Sequence, residues 1–232
     1  MKKKIKILAI ILARSGSKQL PNKNTKLFFR KPLICHTFEV LKKSKIFHRI
    51  ILSTNSKKYI KLAKKNKIEA PFVRPKKLST SKSNAIDSLK HAMEYVKKTD
   101  REYDYVQYVM PTTPLKEVKD FKKALQLIIK KSADMIVSVS KSSKPKEWFN
   151  SIGKNRSLKT WAKYSISKKN RQEFKDAYSI NGCIYLAKWN VFFKKKNWFK
   201  QKTFAYVMPK NRSIDIDDIN DFREAEYYYK KK

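Results

Sequence analysis

The regular alternation of short apolar segments with helical patterns is the feature that most limits how this chain can fold. Residues 5–13, IKILAIILA, form a continuous apolar run, and residues 32–44 repeat apolar side chains at helical spacing after Pro32, which suits a first helical turn. Strands that alternate with helices predict an α/β layer fold with a largely parallel sheet. Such sheets bind ligands at the carboxyl ends of their strands, so we expect functional residues directly after strands.

The other elements continue the alternation as far as a C-terminal helix. Strands are predicted at 49–54, 103–110, 135–140, 181–187 and 203–209, and helices at 56–66, at 86–98 after a cap at Ser83 or Asn84, at 118–131 and at about 218–229. Residues 141–175 are polar and irregular, and we predict that they leave the sheet as an excursion. The length of 232 residues suits a single domain, 1–232.

The net charge of +38, from 57 basic and 19 acidic residues, points to a polyanionic partner such as nucleic acid. Only 9 of the 57 basic residues are Arg, the side chain that binds phosphate with two parallel hydrogen bonds, and the lysines are spread along the whole chain. This distribution favours a compositional bias on a solvated surface, and we expect no nucleic-acid partner. A basic nucleic-acid-binding protein stays a remote alternative.

Targeting and membrane signals are weak. The start, MKKKIKILAIILA, resembles a signal peptide but lacks a small-residue cleavage site, so we interpret it as a buried strand. No other apolar run approaches the roughly 18–20 residues that span a bilayer. Cys35 and Cys183 lie far apart without metal-ligand spacing, which indicates free thiols in a reducing compartment. We therefore expect a cytoplasmic protein with no membrane partner.

The segment ARSGSKQLPNKN, residues 13–24, follows the first predicted strand and contains Gly16, one of 3 glycines in the chain. A glycine in a strand-to-helix turn lets backbone N–H groups approach a phosphate closely. The cations and hydrogen-bonding groups around it are Arg14, Lys18, Lys23, Ser15, Ser17 and Asn24. The segment matches neither GxxxxGK[ST] nor GxGxxG. Its local chemistry fits a polyphosphate site and a solvated turn equally well.

An acidic segment near the C-terminus, SIDIDDINDFREAE at 213–226, stands out in this lysine-rich chain. Asp215 and Asp217 are two positions apart, so in an extended segment they point the same way. Paired carboxylates suit Mg²⁺, which keeps waters and also takes phosphate oxygens. The alternative is that Asp217 or Asp218 caps the last helix. We favour metal binding for Asp215 with Asp217, and capping for Asp218.

A second glycine, Gly182, lies in NGCIYL at 181–186. An Asn-Gly pair at the start of a strand fits either a hairpin turn or a close backbone approach to a ligand. Upstream, Arg171 is one of the few arginines and is a candidate to hold a carboxylate.

Taken in order, these segments resemble the acylneuraminate cytidylyltransferases, the CMP-sialic acid synthetases, over nearly the whole length of the chain. The motifs that carry the resemblance are ARSGSKxLPxKN at 13–24, KPLICHTFE at 31–39, RIILSTN at 49–55, RPKKLS at 74–79, PTTPL at 111–115, RQ at 171–172, NGCIYL at 181–186 and SIDIDD at 213–218. Asn24 favours this branch, because the related CMP-KDO synthetases typically have Pro at that place.

The resemblance implies a three-layer, Rossmann-like nucleotidyltransferase fold, with Mg²⁺ or Mn²⁺ as cofactor. It implies that the C2 hydroxyl of a 2-keto-3-deoxy nonulosonic acid attacks the α-phosphate of CTP and that pyrophosphate leaves. The implied roles are triphosphate binding for Arg14, Ser17, Lys18 and Lys23, nucleotide binding for Ala13, Asn24 and Arg74, sugar binding for Arg171, Asn181, Gly182 and Tyr185, and metal binding for Asp215 and Asp217. Among these, Arg14, Lys18, Lys23 and Asp217 would be catalytic.

The chain departs from the family pattern at Met110, where a Gln usually contacts the sugar, at Ser81, where an acidic residue is frequent, and at Ser179, where a basic residue is frequent. These departures predict a variant sugar such as legionaminic acid or another nonulosonic acid, with CMP-pseudaminate or CMP-KDO synthesis as alternatives. In this family, segments like residues 141–175 exchange between two subunits. The resemblance therefore implies a homodimer.

Overall fold

A computed structural model describes residues 4–17, 19–159, 170–195, 197–199 and 202–231. Its strands are β1 (Ile7–Leu12), β2 (Leu27–Phe28), β3 (Lys31–Pro32), β4 (Arg49–Ser53), β5 (Tyr105–Val109), β6 (Met135–Lys141), β7 (Tyr178–Lys188) and β8 (Thr203–Met208). Its α-helices are α1 (Leu33–Ser44), α2 (Lys57–Lys65), α3 (Ala85–Thr99), α4 (Val118–Lys130), α5 (Trp189–Lys195) and α6 (Ile219–Lys230). The predicted alternation is confirmed. The hairpin β2–β3 and the short helix α5 were not predicted.

Six strands form one sheet in the order β4-β1-β5-β7-β6-β8. β1 pairs in parallel with β4 and β5, and β6 pairs in parallel with β8. β7 alone runs antiparallel to its neighbours, β5 and β6. The sheet is therefore mostly parallel, as predicted, and the carboxyl ends of β1, β4 and β5 meet on the same side of the molecule.

Helices cover both faces of this sheet, which gives the molecule three layers. α1, α2 and α4 pack on one face together with Ile7, Ala9 and Ile11 of β1, while α3 and α5 pack on the other with Leu8 and Ile10. A strand covered on both faces needs apolar side chains at every position, because successive side chains point to opposite faces. The continuous apolar run at the start of the sequence follows from this burial, and its interpretation as a strand is confirmed.

Two helix starts are fixed by side chains that the sequence singled out. Asn84, the second of the two candidates, caps α3 by accepting a hydrogen bond from the backbone N–H of Ile86 at 2.8 Å. Asp218 caps α6 by accepting from the N–H groups of Asn220 and Asp221 at 2.7 and 3.0 Å. The capping role of Asp218 is therefore confirmed.

The hairpin considered for Asn181 and Gly182 is wrong. Both residues lie inside β7, a strand of 11 residues, at a place where its register against β6 shifts between Val137 and Val139. Gly182 has a φ of +70°, a backbone conformation that other residues rarely adopt. A β-bulge absorbs the extra residue without reversing the chain, so the Asn-Gly pair bends a strand and does not end one.

A buried ion pair ties the chain after β8 to α4. Asp120 is fully buried, and it accepts hydrogen bonds from Arg212 Nη1 at 2.6 Å and from the hydroxyl of Tyr206 at 2.9 Å. Arg212 also donates to Glu117 at 3.1 Å. A buried carboxylate is tolerated when its oxygens are paired in this way. The pair fixes the point at which the acidic segment leaves the sheet.

The predicted excursion is irregular where it is described. It contains short 3-10 helices at Lys146–Trp148, Lys154–Arg156 and Arg171–Glu173, and residues 160–169 lie outside the described part of the chain. Elsewhere, Cys35 and Cys183 are free and buried, as predicted. Of the helices that the structure describes, none is both long enough and apolar enough to cross a membrane.

Candidate active site

A cavity of about 230 Å³ lies where β1 and β5 end. Tyr108 and Met110 form part of its wall at the end of β5. Most of its other lining residues are predicted site residues, namely Ala13, Arg14, Ser17, Lys23, Asn24 and Asp217. Folding therefore brings most of the residues expected to hold nucleotide and triphosphate to one place. Lys18, which was predicted with them, lies outside the described residues.

The loop after β1 is held against the end of β4 by hydrogen bonds. The N–H of Ala13 donates to the carbonyl of Ser53 at 3.2 Å. The N–H of Ser15 donates to Asn55 Oδ1 at 3.0 Å, and Asn55 Nδ2 donates back to Ser15 Oγ at 2.9 Å. Gly16 has a φ of +81°, and a Cβ built there would meet nothing within 4 Å. The glycine is therefore needed for the turn itself and not to relieve a contact within the protein.

A second cavity, of about 160 Å³, shares Leu12, Arg14 and Tyr108 with the first and is also lined by Arg74. Arg74 is only 4% exposed, and its Nε donates to Ser79 Oγ at 3.1 Å. Burial lowers the pKa of Arg74 to about 10, and the positive charge of Arg14 adds to the shift. Within the described residues no carboxylate pairs with this guanidinium. The two joined cavities thus form a cleft with two arginines in its walls, which suits an anionic ligand.

Lys23 links this cleft to the acidic segment. Its Nζ donates to the backbone carbonyl of Ile216 and to Asp217 Oδ1, the latter at 2.9 Å. The side chain of Lys23 is 11% exposed and that of Asp217 is 65% exposed. The N–H of Ile216 donates to the carbonyl of Thr112 at 2.8 Å, so the acidic segment is also hydrogen-bonded to the turn after β5. One predicted triphosphate ligand and one predicted metal ligand are therefore in direct contact.

Asp215 lies deeper than Asp217. Burial raises the pKa of the Asp215 carboxyl, and the negative charge of Asp217 raises it further, although the hydroxyl of Thr112 and the positive charges of Lys23 and Lys116 oppose the shift. Its Oδ1 is buried and has no hydrogen-bond partner within the described chain. A Cβ at Gly182 would lie 3.0 Å from Asp215 Oδ2, so the glycine is what leaves room for this carboxylate. A buried, unpaired carboxylate oxygen beside a second carboxylate fits a divalent cation.

The donor set is small for a metal. No group of three or more His, Cys, Asp or Glu side chains in the described residues is arranged to hold a cation. Mg²⁺ tolerates this, because it binds proteins through one or two carboxylates and completes its shell with waters and substrate phosphates. Asp215 and Asp217, next to a cleft suited to an anion, fit that pattern.

Unpaired buried polar atoms concentrate at this end of the sheet. Asn24 Oδ1, Ser53 Oγ, Thr112 Oγ1 and Asp215 Oδ1 are four of the eight side-chain atoms that are buried without a hydrogen bond of good geometry in the described residues, although Thr112 and Asp215 lie close enough to each other to interact. Such atoms are rare in folded proteins, because leaving one unpaired costs about 1–3 kcal/mol. Their clustering indicates a place where a ligand supplies the missing partners.

The residues expected to meet the sugar are more scattered. Asn181 is buried, and its side-chain amide accepts from Ser138 and donates to Ser213 Oγ at 2.8 Å, so it clamps the bulge of β7 to the acidic segment. The ring of Tyr185 packs against that of Tyr108 at a tilt of 31°, with the ring centres 5.3 Å apart. Arg171 is exposed and donates to the carbonyl of Ser143 at 2.6 Å. Gly182 and Tyr185 thus lie next to the cleft, whereas Arg171 contacts the excursion to which it belongs.

The sequence missed several residues of this site. Tyr108 lines both cavities, and it is hidden in the strand pattern because it alternates like any other strand residue. Lys116 is 2% exposed and donates to the carbonyls of Met110 and Thr113 at 2.8 and 2.7 Å, so it shapes the turn after β5. No sequence signal separates Lys116 from the other lysines, whereas Asn55 could have been chosen, since it directly follows a strand.

Comparison with known proteins gives consistent results. The sequence model of the family described as "Cytidylyltransferase" matches residues 8–232. An N-acylneuraminate cytidylyltransferase of Escherichia coli is 33% identical over 228 residues, which are 98% of this chain and 53% of the relative, so the chain spans about half the length of that protein. A pseudaminic acid cytidylyltransferase of Campylobacter jejuni is 29% identical over 226 residues, 97% of each chain. A CMP-N,N'-diacetyllegionaminic acid synthase of Legionella pneumophila is 30% identical over 223 residues, 96% of this chain and 95% of that one.

Among solved structures, that of a CMP:2-keto-3-deoxy-manno-octonic acid synthetase complexed with CTP superposes with a TM-score of 0.70. The superposition covers 97% of this chain and 99% of the synthetase chain, at 15% sequence identity. At that identity the likeness concerns the fold alone. It confirms the three-layer nucleotidyltransferase fold.

The buried Asp215 carboxylate predicts a gain in stability when its charge is removed. Because the folded state raises the pKa of Asp215, ionisation of this carboxyl destabilises the fold; the penalty is complete above the folded pKa, declines as the pH falls through it, and vanishes below the unfolded pKa. We expect Asp215→Asn to raise Tm near pH 7, by about 2–4 °C for each kcal/mol in a domain of this size. The gain should shrink as the pH falls towards 4.

Asp217→Asn is the matched control for this measurement. Its carboxylate is 65% exposed and pairs with Lys23, so we expect a change of less than about 1 kcal/mol. Thermal unfolding monitored by circular dichroism across this pH range compares the two variants. A loss of stability in Asp215→Asn at pH 7 would contradict the argument that burial governs this carboxylate.

Proposed function

Because the chain belongs to the cytidylyltransferase family, we propose that it transfers CMP from CTP to the anomeric hydroxyl of a sialic-acid-like 2-keto-3-deoxy nonulosonic acid, with release of pyrophosphate. The observation that carries the proposal is the contact of Lys23, in the loop after β1, with Asp217, in the acidic segment. It joins a cation-lined cleft to a pair of carboxylates. Transfer of a nucleotide needs both, since charge on the phosphates must be neutralised while the acceptor is activated.

The cleft suggests how the nucleotide is held. Arg74 places a buried positive charge in the wall of the second cavity, where a nucleotide would enter, and Arg14 lines both cavities. Lys23 would then stabilise the negative charge that builds on the α-phosphate and the leaving pyrophosphate. Asn24 and Ser17 line the same wall and offer hydrogen-bonding groups. Lys18 is proposed for the triphosphate by the family pattern alone.

Asp215 and Asp217 are proposed to hold Mg²⁺ or Mn²⁺. When bound, such an ion would supply positive charge that offsets the negative charge of the phosphates and favours ionisation of the acceptor hydroxyl. The protein contributes a carboxylate, Asp215, that has an unpaired buried oxygen, and a second one, Asp217, that must exchange its ion pair with Lys23 for the metal. Lys23 is then free to turn towards phosphate, so both partners of the ion pair gain a new counterion.

The identity of the sugar acid is proposed from the wall at Met110. Relatives that match nearly end to end are named for pseudaminic and legionaminic acids. Met110 lines the cleft, and its Sδ lies 3.2 Å from the position of a Cβ on Gly182. A thioether there gives an apolar wall with no hydrogen-bond donor, which suits a sugar less hydroxylated than N-acetylneuraminic acid. We propose legionaminic acid or another such nonulosonic acid.

Pyrophosphate release tests the reaction. With CTP, Mg²⁺ and a panel of 2-keto sugar acids, we expect release that requires both the sugar acid and the metal. Asp217→Ala should lower the rate by at least about a hundredfold without unfolding the protein, because it removes a metal ligand. Full turnover in that variant would refute the metal assignment, and the absence of release with every sugar acid would refute the reaction.

The same panel tests the choice of sugar. We expect legionaminic or pseudaminic acid to give a higher kcat/KM than N-acetylneuraminic acid. Met110→Gln should move the ratio towards N-acetylneuraminic acid by about 10-fold, because a correctly placed hydrogen bond to a substrate hydroxyl contributes about 1–2 kcal/mol. A clear preference of the unaltered protein for N-acetylneuraminic acid would contradict this choice.

We further propose a homodimer formed through the excursion. Its described part exposes large apolar side chains at Phe149, Ile152 and Leu158, each more than half exposed, and such patches mark interaction surfaces. Light scattering at micromolar concentration should give twice the mass of the chain. Ile152→Asp should shift the mass towards that of a monomer, whereas Val207→Asp, at a similarly exposed residue of β8, should not. A monomer before any substitution would contradict the proposal.

A further inference from the structure

The lysines are distributed unevenly over the two helical layers, although they are spread evenly along the sequence. α2 (KKYIKLAKK) contains five lysines and no acidic residue. α4 contains four lysines, and its one acidic residue, Asp120, is fully buried in its ion pair with Arg212. On the opposite face of the sheet, α3 carries Asp87 and Glu94 among three lysines. α1 adds two lysines and Glu39 to the first layer, and α5 adds two lysines to the second. The layer of α1, α2 and α4 therefore has a larger positive excess than the layer of α3 and α5.

The helices of this layer lie side by side. α1 and α4 pack against each other, and Lys42 of α1 donates to the carbonyl of Asn66 just after α2 at 2.8 Å. The lysines of α2 and α4 point outwards, since all nine are exposed while Tyr59 and Phe121 point into the core. We call the exposed lysines of α1, α2 and α4 the lysine face. The α2 lysines form no ion pair with any described carboxylate, so their charge is not neutralised within the chain.

The chemistry of the lysine face selects among polyanions. The three helices contain no Arg, and their aromatic side chains, Phe38, Tyr59 and Phe121, are all buried. These helices therefore lack two interactions that commonly bind nucleic acids, namely bidentate phosphate contacts by Arg and stacking of bases on exposed aromatic rings. What remains is a broad layer of ammonium groups, with Ile129 as an apolar side chain 46% exposed among them. Such a layer matches a surface of diffuse negative charge.

We propose that the lysine face docks on an anionic lipid surface. Each lysine near such a surface contributes about 1 kcal/mol of attraction, and several together hold a protein reversibly without any inserted segment. The cleft opens at the ends of the strands and not through the helical layer, so a protein docked in this way keeps its cleft open to solution. The sequence predicted no membrane partner because no apolar run is long enough to span a bilayer, and docking through surface charge needs no such run. The gathering of the lysines on one face is visible only after folding.

Vesicle sedimentation tests the proposal, with phosphatidylcholine vesicles that contain or lack phosphatidylglycerol. We expect the full chain to sediment with the anionic vesicles only, and to be released as salt is raised above about 0.1 M, where the screening length falls below about 10 Å. Two triple variants remove charge from the lysine face: Lys57→Gln, Lys61→Gln, Lys64→Gln on α2 and Lys122→Gln, Lys123→Gln, Lys130→Gln on α4. Loss of one lysine should raise the Kd for the vesicles about fivefold, so each triple variant should raise it on the order of a hundredfold.

The matched control is Lys82→Gln, Lys98→Gln, Lys194→Gln, which removes three exposed lysines from α3, from the turn before it and from α5. We expect this control to weaken binding by less than about fivefold, with Tm unchanged in all three variants. Equal losses in the three variants would overturn the proposal, since binding would then follow net charge and not one face. Tighter binding to duplex DNA than to anionic vesicles at the same salt would also overturn it, and would identify the face as a nucleic-acid surface. Turnover is not a readout here, so this test stands apart from the proposed reaction.

Discussion

Lys23 and Asp217 lie 194 positions apart in the chain and meet in an ion pair of 2.9 Å, and the candidate site depends on that contact. Lys23 also holds the carbonyl of Ile216, so the loop after β1 and the acidic segment are fixed to each other at two points. Because Asp217 is 65% exposed, water screens the pair, and separating it costs about 1 kcal/mol or less. The contact is strong enough to align the two segments and weak enough to be broken at little cost.

The burial of the Asp215 carboxylate depends on uncharged features of β7. Gly182 leaves the space that a Cβ would fill, the bulge of β7 gives that glycine its positive φ, and Asn181 ties the bulge to Ser213 just before the acidic segment. The result is a carboxylate whose burial raises its pKa and whose Oδ1 has no partner in the described chain. Burial of this charged group costs stability locally, which is a recurrent feature of functional sites.

The predictable part of the fold is the part set by local pattern. β1, α1 and β4 were predicted to within two residues at each end, because their apolar spacing has a single good fit to strand or helix. The start of β7 was misjudged, since an Asn-Gly pair suits a hairpin as well as a bulge and the difference is made by the partner strand β6. α5 was missed because WNVFFKK is too short to show a helical period. In the site, Arg14, Lys23 and Asn24 were chosen from residue type in the loop after the first strand, and Asp217 from its spacing to Asp215 in the acidic segment, and the four share one cavity.

The sequence by itself determined the order of strands and helices, the scarcity of glycine and arginine, and the segments that bear the chemistry. Tertiary structure alone decided which of many similar lysines matter and how. Lys116 is buried beneath the turn after β5, Lys23 pairs with Asp217, and the lysines of α2 and α4 share one solvent face. The physical reason is that burial, pairing and sidedness depend on neighbours brought together from distant parts of the chain. Residues with identical local sequence properties therefore acquire different surroundings, and with them different charge and function.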